Sequence, residues 1–259
     1  MPNSEFNLLI LFDLLKDTLY SKNPNHPFLQ QIGQIPDEGK VQLPVRMPSM
    51  DKKKEEKEIQ RFQKKYPGPY VISDKLDGIS ALLYNGTKLY TRGDGEYGQN
   101  KSKWIEYLNI DENITKPFVI RGEIIISKKN FQKIKNKGSN ARSIVAGFIN
   151  TKKPKQELAK YINFVAYEII KPEMTPLEQI NTLKTLNLKV VSHEMKSEIN
   201  IENLSEELKS RREKSKYEID GIIITQNKIV PRVSSGNPKH SFAFKMILDD
   251  QIRETSVKE

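Results

Sequence analysis

The stretch SDKLDGIS, residues 73–80, limits this chain's possible folds more than any other. Val71 and Ile72 lead into it, and Ile79, Ala81, Leu82, Leu83 and Tyr84 lead out. Short apolar runs parted by Asp77-Gly78 predict a strand, a tight corner and a second strand. Asn85-Gly86 then turns the chain into a third strand that reaches Tyr90. One lysine, Lys75, lies in the first strand with Asp77 and Gly78 just behind it. Burial between strands disfavours an ammonium ion, and a neutral amine is a nucleophile. Gly78 lets backbone come close to a bound ligand. Taken alone, the pattern also fits a surface lysine on a hairpin, because only three letters are fixed.

Upstream, residues 4–20 predict a helix capped by Asn3 or Ser4. It is apolar nearly all the way round, and so is buried or meets a partner. VQLPVRMPSM (41–50) is extended, fixed by Pro44 and Pro48, and a mixed-charge helix follows over 51–66. After Tyr90, TRGDGEYGQN predicts a flexible loop carrying Arg92 and Asp94. Next come a strand ending at Ser127 and two short helices, the second opening near Asn140. A strand over 162–170, a helix capped by Thr175, the strand LKVVS and a helix over 201–216 follow. The last two strands are YEIDGIIITQ and HSFAFKMIL, with Lys245 inside the second. Strands and helices without regular βα alternation give an α+β fold, two packed antiparallel sheets with flanking helices.

Composition narrows the chemistry. With no cysteine, disulfides, zinc–thiolate sites and thiol catalysis are excluded. His26, His193 and His240 are far apart, so any metal is expected to be Mg²⁺ held by carboxylates and ligand phosphates. Lys+Arg 43 against Asp+Glu 33 leaves +10, which points to a polyanionic partner, nucleic acid first. No run reaches the ~18 apolar residues of a membrane span. The apolar segment from Phe6 to Leu15 holds Asn7 and Asp13 and lacks a basic start, a poor signal peptide. The expectation is an intracellular protein with no membrane partner.

Four polar residues fall inside apolar strands: Lys75, Glu123, Asp220 and Lys245. Glu123, flanked by Ile120 and Ile124 to Ile126, needs a partner. Arg92 and Arg142 sit on loops or helix starts nearby in sequence. One lysine can act as nucleophile and the other as phosphate clamp, while two carboxylates can hold Mg²⁺ or a ribose. Nucleotidyl transfer to an amine needs such a set, since cations aimed at the nonbridging phosphate oxygens stabilise the transition state.

KLDG (75–78) resembles motif I of the covalent nucleotidyltransferases: DNA ligases, RNA ligases and mRNA capping enzymes. The rest is similar to one branch, the NAD⁺-dependent DNA ligases. PSMD (48–51), TRGDGEYG (91–98), VIRGEIII, NARSIVAG (140–147), FVAY (164–167), TLKTLNLKVV, YEIDGIII (217–224) and FAFK (242–245) follow in that family's order. The resemblance implies the ATP-grasp-like nucleotidyltransferase fold. It also implies a reaction in which Lys75 takes AMP from NAD⁺, releases nicotinamide mononucleotide (NMN), and passes AMP to the 5′-phosphate of nicked duplex DNA. Implied catalytic residues are Lys75, Asp77, Lys245 at the AMP phosphate, and Asp220 as a carboxylate assisting metal or ribose. Glu123 would hold the ribose and, with Asp220, Mg²⁺, and Tyr167 would stack on adenine. Arg92, Arg142 and Arg212 would serve nucleotide or nick phosphates. Ser49 and Met50 would line the nucleotide entrance, with Ser73 and Ile223 also facing the nucleotide.

Some positions depart from the branch. Thr225 stands where it has a lysine, Asn150 where it has a second arginine, and Ser73 where it has an adenine-reading glutamate. Asn3, Phe6 and Asn7 replace polar contacts to the NMN half of NAD⁺. The expected division is a reduced NMN-binding remnant at 1–44, the adenylation domain at 45–250, and at 251–259 the start of a linker to an absent OB-fold. That reading makes the chain a fragment, or one subunit of a ligase whose partner chain supplies the OB-fold, zinc finger, helix-hairpin-helix and BRCT parts. Two other readings stay open on the sequence: an ATP-using DNA or RNA ligase relative, and a non-catalytic nucleic-acid-binding relative.

Overall fold

The computed structural model describes residues 39–246 other than 109, 111–113, 115–117, 135–139 and 154, together with 18, 19, 22 and 23. The helix expected at 4–20 and the linker expected at 251–259 lie outside the described residues, apart from 18 and 19. Strands run in order β1 (Lys40–Gln42), β2 (Lys52–Lys53), β3 (Tyr70–Leu76), β4 (Ile79–Tyr84), β5 (Lys88–Thr91) and β6 (Tyr97–Gln99). They continue with β7 (Val119–Ile126), β8 (Ile162–Lys171), β9 (Lys189–Val190), β10 (His193–Lys196), β11 (Ile219–Gln226) and β12 (Ser241–Phe244). The helices are α1 (Glu56–Lys65), α2 (Lys128–Lys133), α3 (Ala141–Asn150), α4 (Gln156–Ala159), α5 (Pro176–Thr185) and α6 (Ile201–Lys214), plus a 3₁₀ segment at Ser102–Tyr107.

Two five-stranded sheets form the body, ordered β10-β3-β11-β12-β2 and β5-β4-β7-β8-β9. Pairing is antiparallel except for the short edge pairs β12–β2 and β8–β9. The Asp77-Gly78 corner therefore closes no hairpin: it hands the chain from β3 in the first sheet to β4 in the second. Backbone crowding requires the glycine. A Cβ at Gly78 would stand 2.4 Å from the Ile124 carbonyl oxygen and 2.9 Å from Glu123 Cγ. Gly78 thus admits β7 of the second sheet, where the sequence suggested a ligand. The next corner is a true hairpin, with Asn85 at φ 51° and Gly86 at φ 69° joining β4 to β5.

Alternation along each strand explains the layering. Ile72, Ile222, Ile224, Phe242 and Phe244 pack with Ile59 and Phe62 of α1 and with Leu204 and Leu208 of α6. Ile120, Ile124, Phe164 and Ala166 of the second sheet pack with Val145 and Phe148 of α3 and Leu183 of α5. Ile125 and Val165, on the opposite face of the second sheet, join the first sheet's core and bring the two sheets together. The remaining inward residues, polar ones included, face a cleft between the sheets.

Several expectations needed revision. The charged helix begins at Glu56, because Lys52-Lys53 is taken up as a strand beside β12. The glycine-rich loop ends in β6, which pairs with β1. His193–Lys196 forms an edge strand on β3. Lys245 follows β12 and does not lie inside it. Among the described residues no helix is long and apolar enough to cross a membrane.

Candidate active site

Between the sheets lies a cleft of ≈ 710 Å³ lined by Lys75, Asp77, Ser73, Ser49, Met50, Arg92, Glu123, Arg142, Tyr167, Asp220, Ile223 and Lys245. All the expected site residues meet there except Arg212. That arginine donates from Nη2 to the Met246 carbonyl at 3.2 Å, on the α6 side of the molecule. One residue is about 100° of helix rotation, so the arginine beside it takes a different partner. Arg211 Nη1 pairs with buried Asp74 at 2.9 Å.

Period-two alternation on β3 sends Ser73 and Lys75 to the cleft and Ile72 to the core. Gly221 on β11 lies opposite Lys75, and the register slips between Ile219 and Gly221. Asp220 is the extra residue of that β-bulge, which re-aims its side chain. Its carboxylate takes Lys75 Nζ at 2.8 Å and Lys245 Nζ at 2.7 Å. Burial pushes the Asp220 carboxyl up, but the charges and hydrogen bonds of Lys75 and Lys245 outweigh it and hold the group below the usual carboxylate range. Lys75 is therefore not isolated in apolar surroundings. It is oriented by a carboxylate that it shares with the second lysine.

The second sheet supplies the opposite wall. Glu123 on β7 is 7% exposed, and its carboxyl is pushed up from 4.5 to about 7, chiefly by burial. Asp220 adds to the rise, while Arg142, Lys75 and a Gly78 backbone hydrogen bond oppose it. Asn140 caps α3 by accepting from the Ser143 N–H at 2.7 Å, which sets Arg142 in the first turn. Arg142 Nη1 then reaches Asp77 Oδ1 at 3.0 Å and the Gly78 carbonyl at 2.5 Å, bracing the corner behind Lys75. Arg92 donates to Ser49 Oγ at 2.7 Å and to the Met47 carbonyl at 3.1 Å, tying the entrance segment to the second sheet.

Sequence reasoning missed a group at the other end of the cleft. The β7–β8 register slips between Arg121 and Gly122, so Tyr167 and Glu168 both reach the cleft. Tyr167 Oη shares a 2.8 Å hydrogen bond with Ser80 Oγ, and Arg121 lies 5.6 Å from its ring centroid. Glu168 is bridged by Arg121 at 3.0 Å and by Arg232. Burial raises the Glu168 carboxyl, yet the two guanidinium charges more than offset this and lower it overall. Arg121 and Glu168 each had a sequence signal, a charge inside the apolar runs VIRGEIII and INFVAYEII. Nothing local marks Arg232.

Among the described residues no group of three or more His, Cys, Asp or Glu could hold a metal. The cleft nevertheless fits a hard cation that takes most of its oxygens from phosphates and water. Asp220 Oδ1 is buried and accepts no hydrogen bond, although Lys75 Nζ lies 2.8 Å away, and Glu123 lines the same cleft.

The raised Glu123 carboxyl has a measurable consequence. Folding favours its protonated form, so the contribution is full below pH 4.5 and is lost as pH rises through about 7. Glu123→Gln removes the titration. Across that window the parent is expected to lose about 3 kcal/mol relative to the variant, read from urea midpoints at stepped pH. A difference that stays flat with pH would contradict this.

A family model described as the NAD-dependent DNA ligase adenylation domain matches residues 38–247. A DNA ligase of Acanthamoeba polyphaga mimivirus is 44% identical over 244 residues, covering 90% of this chain and 38% of that protein. Putative DNA ligase 205R of Invertebrate iridescent virus 6 is 34% identical over 264 residues, covering 95% of this chain and 41% of that protein. The chain thus spans about two-fifths of the length of these curated relatives. In fold it is similar to a solved Lig E DNA ligase, at TM-score 0.51 and 19% identity, over 80% of this chain and 70% of that one.

Proposed function

The chain belongs to the family of NAD-dependent DNA ligase adenylation domains, and from that premise we propose that it carries out the lysine-adenylation half-reaction of DNA ligation. The Lys75 amine attacks the AMP phosphorus of NAD⁺. A P–N bond forms, the P–O bond to the NMN phosphate breaks, NMN departs with that electron pair, and the amine gives up a proton. Lys245 meets the nonbridging oxygens as charge builds on them. Asp220 keeps both lysines pointed at one locus, which shortens the search for an attack geometry.

Glu123 accepts from the ribose hydroxyls, and Tyr167, backed on one side by Arg121, stacks on adenine. Arg142 and Arg92 carry phosphate contacts, and Ser49 and Met50 form the entrance, with Ser73 and Ile223 beside the base. Glu123 and Asp220 would hold Mg²⁺, which supplies charge neutralisation at the phosphates when bound. The later transfer of AMP to the 5′-phosphate of nicked duplex DNA, in the intracellular setting of replication and repair, belongs to the same proposal. The basic surplus of the chain supports such a partner.

The observation that supports this reading most is the Asp220 bulge, with two lysines from different strand ends on one carboxylate. Intact-mass measurement after incubation with NAD⁺, or with ATP at matched concentration, tests it. We expect an AMP adduct from NAD⁺ and none from ATP. An adduct from ATP alone would reverse the donor assignment, and no adduct from either would refute the half-reaction.

A further inference from the structure

Away from Lys75, the first sheet turns no charged side chain to the cleft. Alternation along its strands sets the cleft-facing side chains in rows two residues apart, about 6.8 Å. Lys75 lies opposite Gly221 in the first row, Ser73 opposite Ile223 in the second, and Val71 opposite Thr225 in the third. Ser241 on β12 lies opposite Thr225 and completes the third row. Beyond Lys75, the side-chain polar groups in these rows are therefore three hydroxyls, facing the wall that carries Tyr167.

Charges near this end are engaged or turned outward. Glu168 accepts from Arg121 on one carboxylate oxygen and from Arg232 on the other. Lys228, past the end of β11, is exposed. The hydroxyls, by contrast, are adaptable. Among the described residues none hydrogen-bonds Ser73 Oγ. Thr225 Oγ1 and Ser241 Oγ share a hydrogen bond at 2.8 Å, and Ser241 Oγ also donates to the Ile224 carbonyl at 3.1 Å. With the Ser241 proton on that carbonyl, Thr225 donates to Ser241 and offers its lone pairs to a ligand. With that proton turned to Thr225, the Thr225 proton is released for a ligand. A carboxylate in these rows could only accept and an ammonium could only donate, whereas a hydroxyl does either.

We propose that Ser73 and Thr225 read the purine edge of the dinucleotide, and that this pair admits a 6-oxopurine as well as a 6-aminopurine. The proposal rests on the adenylation reading above. A 6-aminopurine presents a hydrogen-bond donor at its amino group and an acceptor at N1. A 6-oxopurine presents the reverse, an acceptor at O6 and a donor at N1–H. Two hydroxyls that each donate or accept match both edges by turning. Nicotinamide hypoxanthine dinucleotide is then a substrate beside NAD⁺. The Lys75 amine forms a P–N bond to the inosine phosphorus, and the P–O bond to the NMN phosphate breaks. NMN leaves with that electron pair, and the amine gives up a proton.

The test runs the two dinucleotides in separate single-turnover titrations. Adduct formation is read by intact mass, and efficiency is the rate divided by the half-saturating concentration. The parent is expected to use both within about fivefold, no more than one neutral hydrogen bond is worth. A larger preference for NAD⁺ overturns the proposal. Ser73→Glu should raise the ratio in favour of NAD⁺ by about tenfold or more, because a carboxylate accepts from the 6-amino group and has nothing to donate to O6. Effects of that substitution on Lys75 itself fall on both dinucleotides and cancel in the ratio. Ser73→Ala and Thr225→Val should each lower both efficiencies severalfold and leave their ratio as in the parent. A Ser73→Glu ratio equal to the parent's overturns the proposal, as do alanine and valine variants as efficient as the parent. If NAD⁺ gives no adduct, the adenylation reading fails. If NAD⁺ gives an adduct and the hypoxanthine dinucleotide gives none, only the base reading fails.

Discussion

Lys75→Ala, incubated with labelled NAD⁺ and Mg²⁺, is expected to take up no AMP while melting within a few degrees of the parent. The expected loss is on the order of 10⁶-fold, because no other group can stand in for a missing nucleophile. Stability should be spared. The lysine side chain is 29% exposed and faces the cleft, and truncating it leaves Asp220 its second partner, Lys245. Lys75→Arg should fail equally, since a guanidinium stays protonated and cannot attack. Intact mass and peptide mapping report the result. An adduct persisting on the alanine variant would place the chemistry on another residue, and Lys245 would be examined first.

The second large effect is on stability. Arg211→Ala is expected to destabilise the fold by about 3–5 kcal/mol, the range seen when one partner of a buried ion pair is removed. For a chain of this size that lowers the melting temperature by roughly 10 °C. Arg211 Nη1 meets Asp74 at 2.9 Å with side chains 10% and 2% exposed. Without it Asp74 keeps, among the described residues, the Ser215 hydroxyl at 2.8 Å. Asp74 directly precedes Lys75 on β3, so the same pair anchors the opposite face of the strand that carries Lys75. Arg211→Met combined with Asp74→Asn should recover much of the loss, because no bare charge then remains buried. A loss under about 1 kcal/mol in Arg211→Ala would mean that Ser215 and water satisfy Asp74 unaided.

The central site was legible because buried strands rarely carry charge. Lys75, Glu123, Asp220 and Lys245 stand out against isoleucine and phenylalanine, and period-two alternation puts Lys75 and Ser73 on one face. The fold class followed from the same strands. What escaped was the local geometry that breaks the alternation. The bulge that turns Asp220 to both lysines, and the one that brings Glu168 into the cleft beside Tyr167, leave no mark in the letters. The Asp77-Gly78 corner reads like a hairpin because a turn's residues do not say which sheet receives the next strand. Arg211 and Arg212 are alike in sequence, and only the position of Asp74 across the helix separates them. Short pairings such as β1 with β6 depend on distant partners and carry no pattern of their own.

Lys75 and Asp220 are 145 residues apart in the chain, and they meet only once β11 has paired with β3. Contacts this remote in sequence form slowly, because a long loop must close before any reward is gained. The surroundings of Lys75 are accordingly a late product of refolding, appearing after helices and hairpins have formed. If refolding is started with labelled donor present, incorporation at Lys75 should lag behind the recovery of far-ultraviolet circular dichroism. The label then serves as a clock for the pairing of β11 with β3.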